Sequence, residues 1–582
     1  MQDSLLQVKD LSIQFENHNG ITKALQHVSF EINKGELVAV VGESGSGKSI
    51  TSLSVLRLLP SPPAVYNGSI VFHNDNTDIN ILDQSLTAMR QLRGHKIAMI
   101  FQEPMTSLNP VHTCGNQVME AIQQHYTLSA EKAHAKTIQL FEQVKLPDPE
   151  RIFKSYPHQV SGGQKQRVMI AMAMSCEPSL LICDEPTTAL DVTVQKNILE
   201  LIRELKIQNQ MGVLFITHDL GVVSEIADRI IVMYKGKVVE TGKAKELLAN
   251  PQHSYTKALL ACRPALHPKG ERLPVVSDFL EILPNGEIRE RIQNNEQGSK
   301  NNEQGTRNEE LRTETPATGT KLLSVSNLQV WYPSKRNFLG KVLNYTKAVN
   351  DVSFDVYEGE TLGLVGESGC GKSTLGRTLL RLIEPTGGEI LYKGNDLLKT
   401  NKQQLKDMRR DMQLIFQDPY SSLNPRKTIG SAIAEPLMVH NIGRNDKERK
   451  DIVINLLEKV NLLPEHFNRY PHEFSGGQRQ RIVIARALAL KPTFVVCDES
   501  VSALDVSVQA QVLNLLNDLK KEFKFTAVFI SHDLSVVRYI SDRIMVMSKG
   551  MIEEIGEADA IYHSPKSEYT QRLIASIPGV RR

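Results

Sequence analysis

The feature that most constrains this chain is an internal repeat. Residues 42–49 read GESGSGKS and residues 366–373 read GESGCGKS. Phe101-Gln102 returns as Phe416-Gln417, the SGGQ of 161–164 as that of 475–478, Asp184-Glu185 as Asp498-Glu499, and His218-Asp219 as His532-Asp533. From SGGQ onward one offset holds, as far as Tyr255-Thr256 against Tyr569-Thr570, so the second halves of the copies align without a gap. The earlier offset differs because the second copy has a longer loop after Trp331-Tyr332 and a shorter segment before Gln417. Length varies where surface loops are expected.

Within each copy, residues 37–41 and 361–365 are short apolar runs ending in a glycine loop, followed by helix-compatible 51–59 and 375–383. That order predicts strand, phosphate loop and helix. Residues 180–183 and 494–497 are apolar runs ending in Asp-Glu, and 213–217 and 527–531 end before His-Asp. Polar groups therefore recur at the carboxyl ends of buried strands, where open α/β sheets bind ligands. An α/β nucleotide-binding core is expected in each copy, with a helical lobe inserted over 105–174 and 423–490. Between the copies, residues 284–320 turn to Asn, Glu, Gln, Gly and Thr, with NNEQG twice, and lack the apolar spacing of a core. A coil of about 40 residues spans roughly 35 Å. The expected organisation is a first domain over 1–265, an extension and flexible polar linker over 266–320, and a second domain over 321–582. The stretch 262–283 is mixed in composition and belongs clearly to neither copy, with packing on the first the nearer expectation.

At 582 residues the chain has room for about four compact units. Lys+Arg of 68 against Asp+Glu of 66 gives a net charge of +2, so no whole-chain field points to nucleic acid or an anionic membrane. The 41% hydrophobic and 23% charged fractions exclude chain-wide disorder. Six scattered cysteines with no C-x-x-C pair suggest reduced thiols in a cytosol-like compartment and no metal site. The opening MQDSLLQVKD lacks the apolar core of a signal peptide, and no apolar stretch approaches the roughly 18 to 20 residues that span a bilayer.

The motifs carry phosphate chemistry. In Gly42, Glu43, Ser44, Gly45, Ser46, Gly47, Lys48 and Ser49, and again in Gly366, Glu367, Ser368, Gly369, Cys370, Gly371, Lys372 and Ser373, glycines let backbone N–H groups approach phosphate oxygens at the positive end of a helix. Lys48 and Lys372 would neutralise the β and γ phosphates and Ser49 and Ser373 would ligate Mg²⁺. A plain glycine-rich turn is the alternative, and two occurrences, each after a strand, weigh against it. Asp184 and Asp498 suit a second Mg²⁺ contact, with Glu185 and Glu499 placed to polarise the attacking water. A solvated acidic loop would not recur at strand ends. His218 or His532 alone would read as structural; beside a phosphate loop and an acidic pair each reads as a γ-phosphate partner. Ser161, Gly162, Gly163 and Gln164, and Ser475, Gly476, Gly477 and Gln478, each open a helical run. These are ordinary N-caps or second anion-binding helix N-termini. One nucleotide does not need two cradles from the same copy, which head-to-tail pairing of the copies would resolve.

This ordered set resembles two nucleotide-binding domains of an ABC transporter ATPase in one polypeptide, over nearly all the chain except the linker. The resemblance implies two P-loop NTPase domains, each a RecA-like α/β core with a helical subdomain, paired head-to-tail. It implies ATP between the 42–49 loop, Gln102, Asp184, Glu185 and His218 and the opposite Ser475 and Gly477, and between the 366–373 loop, Gln417, Asp498, Glu499 and His532 and the opposite Ser161 and Gly163. Gln102 and Gln417 would join Ser49, Asp184, Ser373 and Asp498 around Mg²⁺. Phe15 and Tyr332, four residues after Leu11 and Leu328, resemble the aromatic that stacks on adenine. Departures are small: Val160 and Phe474 stand for the usual Leu before SGGQ, and Ser500 stands where the first copy has Pro186. Hydrolysis is expected at both sites.

FQEPMTSLNP at 101–110, FQDPYSSLNP at 416–425, YPHQVSGGQ and YPHEFSGGQ are similar to the oligopeptide and dipeptide importer subfamily. HSYTKALL at 253–260 resembles its C-terminal HPYT element, and SEYTQRLI at 567–574 is a weaker counterpart. The resemblance implies a peripheral subunit on the cytoplasmic face of the plasma membrane, working with two permease subunits and an extracytoplasmic solute-binding protein and with no nucleic acid. The cargo would be a peptide or related solute, with glutathione or a nickel complex open. Only Cys262 follows the element, so no iron–sulfur cluster is expected. A soluble tandem ATPase acting on ribosomes is the alternative, but its linker is usually basic and helical. Residues 287–320 carry seven acidic and five basic residues.

Overall fold

The computed structural model describes residues 4–17, 20–74, 77–102, 107–188, 190–282, 288–291, 319–336, 342–502 and 504–577. Of the polar linker expected over 284–320, residues 284–287 and 292–318 lie outside the described residues. The described chain divides into two compact units, Met1–Leu260 and Ala261–Ile577.

In the first unit an antiparallel sheet is built from β1 (Ser4–Asn17), β2 (Gly20–Asn33), β4 (Ala64–Asn74) and β5 (Thr77–Asn80) in the order β2-β1-β4-β5. A six-stranded sheet is built from β3 (Leu37–Val41), β6 (Ile97–Ile100), β7 (Leu180–Asp184), β8 (Gly212–Ile216), β9 (Arg229–Tyr234) and β10 (Lys237–Lys243), in the order β10-β9-β3-β8-β7-β6. All its pairings are parallel except β9 with the edge strand β10.

The uniform apolarity of β3, β7 and β8 follows from burial on both faces. Val38, Val40, Leu180, Ile182, Leu214 and Ile216 pack with the antiparallel sheet, while Leu37, Leu181, Cys183, Val213 and Phe215 pack with the helical lobe. That lobe comprises helices Cys114–His125, Ala130–Gln143, Pro149–Lys154 and Gly162–Ala173, the expected insertion. Ser, Thr or Asp caps each helix, a device that contributes about 1 kcal/mol per helix.

In the second unit β11 (Leu280–Ile282) pairs antiparallel with β12 (Ile288–Glu290). Its antiparallel sheet, β14-β13-β16-β17, comes from β13 (Lys321–Arg336), β14 (Val342–Tyr357), β16 (Gly387–Tyr392) and β17 (Asn395–Asp396). The six-stranded sheet runs β18-β19-β20-β15-β21-β22, from β15 (Thr361–Val365), β18 (Met412–Ile415), β19 (Phe494–Asp498), β20 (Thr526–Ile530), β21 (Arg543–Ser548) and β22 (Met551–Glu557). Helices Ile429–Val439, Asp446–Lys459 and Gly476–Leu488 form its lobe.

The stretch 262–280 packs in the second unit, not on the first copy as its composition hinted. Asn514 holds the Leu273 backbone by both groups, its Oδ1 accepting from the Leu273 N–H at 3.0 Å and its Nδ2 donating to the Leu273 carbonyl at 2.8 Å. The Tyr539 hydroxyl donates to the Glu271 carbonyl at 2.7 Å, Lys269 pairs with Asp542, and Leu273 is fully buried.

Candidate functional site

Each six-stranded sheet places its chemistry at the carboxyl ends of three adjacent strands. In the first unit β8 lies between β3 and β7, so His218 stands between the phosphate loop and Asp184-Glu185. In the second, β20 lies likewise between β15 and β19.

The loop after β3 needs glycine for steric reasons. Gly42 and Gly47 have φ of 153° and 102°, and a Cβ on Gly42 would run into the Met233 carbonyl. Gly366 and Gly371, at 154° and 107°, meet the Met547 and Ala348 carbonyls in the same way. Helix Lys48–Val55 opens on Gly47 with no side-chain cap, and helix Lys372–Leu379 on Gly371 likewise, so neither N-terminus is closed by a side chain of its cap residue. Lys48 Nζ donates to the carbonyls of Gly42 and Glu43 at 2.7 and 2.9 Å, and Lys372 Nζ to those of Gly366 and Glu367 at 2.7 and 3.0 Å. Ser46 Oγ is buried in the first loop without a hydrogen-bond partner, and Cys370 takes its place in the second.

Ser49 Oγ donates to Asp184 Oδ1 at 3.1 Å, and Ser373 Oγ to Asp498 Oδ1 at 2.8 Å. A hydroxyl and a carboxylate this close, beside a glycine cradle, are the hard oxygen donors that Mg²⁺ takes. Burial pushes Asp184 up to about 6 and raises Asp498, so a cation that restores the charged form is favoured there.

Glu185 stands at a left-handed φ of 48° and Glu499 at 47°, each fixed by its N–H donating to a carbonyl on the neighbouring strand, Ile216 at 2.9 Å and Ile530 at 3.0 Å. Ser500 in place of proline therefore leaves the acid's backbone unchanged. Glu185 Oε2 receives Gln102 Nε2 at 3.3 Å and Thr188 Oγ1 at 2.9 Å, with His218 Nδ1 at 3.2 Å. Burial works to raise Glu185, but the hydrogen bond and charge of His218, helped by Thr188 and Lys48, outweigh it and hold the carboxyl at about 2. Gln417 Nε2 reaches Glu499 Oε2 at 2.8 Å and His532 Nδ1 stands 3.7 Å from it; burial is again outweighed, and Glu499 is lowered.

The signature serines cap their helices. Ser161 Oγ accepts from Gln164 N–H at 3.3 Å while Gln164 Oε1 accepts from Ser161 N–H at 3.0 Å, and Ser475 and Gln478 repeat the box at 3.4 and 3.1 Å. Phe15 packs partly buried against the core, whereas Tyr332 is exposed on β13 opposite Thr346.

Each structure unit thus brings together its own phosphate loop, Ser–Asp pair and Glu–His–Gln cluster. Sequence reading missed three contacts: Thr188 on Glu185, Arg377 Nη2 at 3.4 Å from Asp498 Oδ2, and tyrosines bonded to both phosphate loops. The repeated Tyr-Thr was visible in the sequence; its distant partner was not. Among the described residues no group of three His, Cys, Asp or Glu could hold a metal ion, and no helix is long and apolar enough to cross a membrane.

The model for the ABC transporter family matches residues 25–188 and 349–502, and that for the oligopeptide/dipeptide transporter C-terminal region matches 239–280 and 554–582. A glutathione import ATP-binding protein of Pectobacterium atrosepticum is 47% identical over 99% of this chain and 89% of its own. Its counterpart in Escherichia coli O157:H7 is 48% identical over 99% of this chain and 90% of its own. A solved dimeric ATP-binding cassette bound to ADP and Pi is 28% identical, covering 40% of this chain and 98% of its own at a TM-score of 0.37. With two cassette matches and relatives along its whole length, the chain belongs to the ABC transporter family and carries the C-terminal region of its oligopeptide/dipeptide branch.

Proposed function

We propose that this protein hydrolyses ATP at two competent sites to drive import of glutathione or short peptides. The observation that carries the proposal is that each unit closes the same set: lysine on the phosphate loop, serine on aspartate, and glutamate held by histidine and glutamine. The ribosome-factor alternative is set aside, since the relatives at 47% and 48% identity are import proteins.

The residues present fit MgATP. Lys48 and Lys372 would turn from loop carbonyls to the phosphates, with the loop N–H groups around them. Ser49 with Asp184, and Ser373 with Asp498, would hold Mg²⁺, joined by Gln102 and Gln417; when bound the ion offsets phosphate charge. Glu185 and Glu499, ionised at neutral pH, accept the proton of the attacking water, and His218 and His532 orient them toward the γ-phosphate. Phe15 and Tyr332 would face adenine, and each signature turn, with Ser161 and Gly163 or Ser475 and Gly477, would complete the site of the other copy. Relatives' names supply the cargo; the permeases, the solute-binding protein and a place on the cytoplasmic membrane face follow from the importer reading. A groove of about 660 Å³ lined by Tyr420, Asn424, Lys427, Glu435 and Arg486 follows Gln417 in the chain, and Gln417 itself bonds Glu499, so a permease seated in the groove would lie close in sequence to the glutamate's partner.

Glu185→Gln and Glu499→Gln should each cut ATP turnover and together reduce it by about 100-fold or more, with ATP still bound. Undiminished hydrolysis in the double variant would sink the assignment. Uptake of labelled glutathione and of a labelled dipeptide, by cells carrying the wild type or the double variant, tests the cargo.

A further inference from the structure

Both phosphate loops are held at their second residue by a side chain from the C-terminal region of the same unit. Tyr255, on helix Ser254–Ala261, is fully buried, and its hydroxyl accepts the Glu43 N–H at 2.9 Å. Tyr569, on helix Glu568–Ala575, accepts the Glu367 N–H at 3.2 Å. The Tyr255 ring packs on Tyr234 at the end of β9, with centroids 4.2 Å apart, so the hydroxyl is aimed by packing on the strand next to β3. The arrangement occurs twice in one chain although the flanking sequences, HSYTKALL and SEYTQRLI, differ at five of eight positions.

Glu43 is held through both of its backbone groups, its N–H by Tyr255 and its C=O by Lys48. Tyr569 and Lys372 hold Glu367 in the same way. A lysine that turns to a phosphate gives up its loop carbonyls. The tyrosine bond then remains to fix where the loop leaves its strand. A contact that matters more with nucleotide bound than without it should be felt in affinity before it is felt in folding.

We propose that Tyr255 and Tyr569 are positioning residues of the two ATP sites, through which the C-terminal region of each unit braces its phosphate loop for nucleotide. The inference rests on ATP binding by both copies and is independent of cargo. Tyr→Phe keeps the packed ring and removes only the hydroxyl. A net neutral hydrogen bond corresponds to about a 3- to 10-fold change in affinity.

The test uses the full chain as wild type, Tyr255→Phe, Tyr569→Phe and the double variant, with a fluorescent ATP analogue in Mg²⁺ and thermal unfolding with and without ATP. The expected result is weaker analogue binding by about 3- to 10-fold at the altered site, a KM for ATP raised by a similar factor with kcat changed less than twofold, and a nucleotide-free Tm within about 2 °C of wild type. Unchanged affinity and KM in the double variant would overturn the inference. So would a nucleotide-free Tm that falls as far as in Tyr255→Leu, which marks a purely structural contact. Failure of the wild type to bind ATP would instead overturn the reading of the sites themselves.

Discussion

At the scale of single residues the two sites are alike in plan and different in charge. Ser49 and Ser373 meet Asp184 and Asp498 in the same way, but among the described residues a guanidinium stands beside Asp498 and not Asp184, Arg377 at 3.4 Å. The matching position after Lys48 is Leu53. A cation resting on an intended Mg²⁺ ligand competes with the metal, though Arg377 is 44% exposed and solvent screening keeps the effect modest. Arg377→Leu should therefore lower the Mg²⁺ concentration for half-maximal nucleotide binding at the second site by about two- to fivefold. Titrating Mg²⁺ against a fluorescent ATP analogue in a Lys48→Ala background isolates that site, and an unchanged midpoint would show that Arg377 is spectator to the metal.

Among elements, the signature helices separate two reasons for glycine that the motif runs together. A Cβ on Gly163 would lie 2.8 Å from Val194 Cγ1, and one on Gly477 would press closer still on Val508 Cγ1, so these glycines let the signature helix pack on its neighbour. Gly476 has nothing within 4 Å of its Cβ position. Its lack of a side chain serves no packing in this fold, and on the ATP reading proposed above it would let the ligand approach. Gly477→Ala should destabilise the second unit by about 1–2 kcal/mol after the gain in helix propensity, lowering Tm by a few degrees. Gly476→Ala should leave Tm unchanged or raise it by up to a few degrees while ATP turnover drops at least tenfold. Calorimetry beside an ATPase assay on both variants checks the split, and a Gly476→Ala chain of full activity would remove the ligand argument. The same helices mark what was legible in advance. Motif spacing marked the strand ends that carry the candidate site residues, because those strands are short, mainly apolar and followed by glycine, Asp-Glu or His-Asp. The antiparallel sheet was not legible. β1 and β13 carry several register shifts against their partners, and each bulge breaks the alternation by which a half-buried strand is recognised. Nor could spacing show that Tyr255 reaches Glu43 across 212 residues, since that contact exists only once β9 has brought its neighbours together.

For the molecule as a whole, the boundary between units falls at 260/261, before the polar stretch that composition marks as the joint. Residues 262–280 are ordinary in composition because they are a docked strap, held by the Asn514 clamp on Leu273, the Tyr539 bond to Glu271 and the Lys269–Asp542 pair. A second half begun at residue 262 should then unfold at a higher temperature than one begun at residue 319. Leu273→Asp in the longer version should erase most of the gain, since a buried leucine replaced by a charge costs about 3 kcal/mol or more. The gain should also depend on pH in a definite direction. Burial works to raise Asp542, but Lys520 and Lys269 outweigh it and depress its carboxyl below the ordinary range. A depressed carboxylate contributes stability above its unfolded value, and that contribution is lost as pH falls through the folded one. Lys269 belongs to the strap, so the Tm difference between the two versions should be full at neutral pH and shrink below about pH 4. Scanning both from pH 7 to pH 3 gives the comparison; a gap that widens on acidification, or equal Tm values at pH 7, would place the strap's hold elsewhere than Asp542 and Leu273.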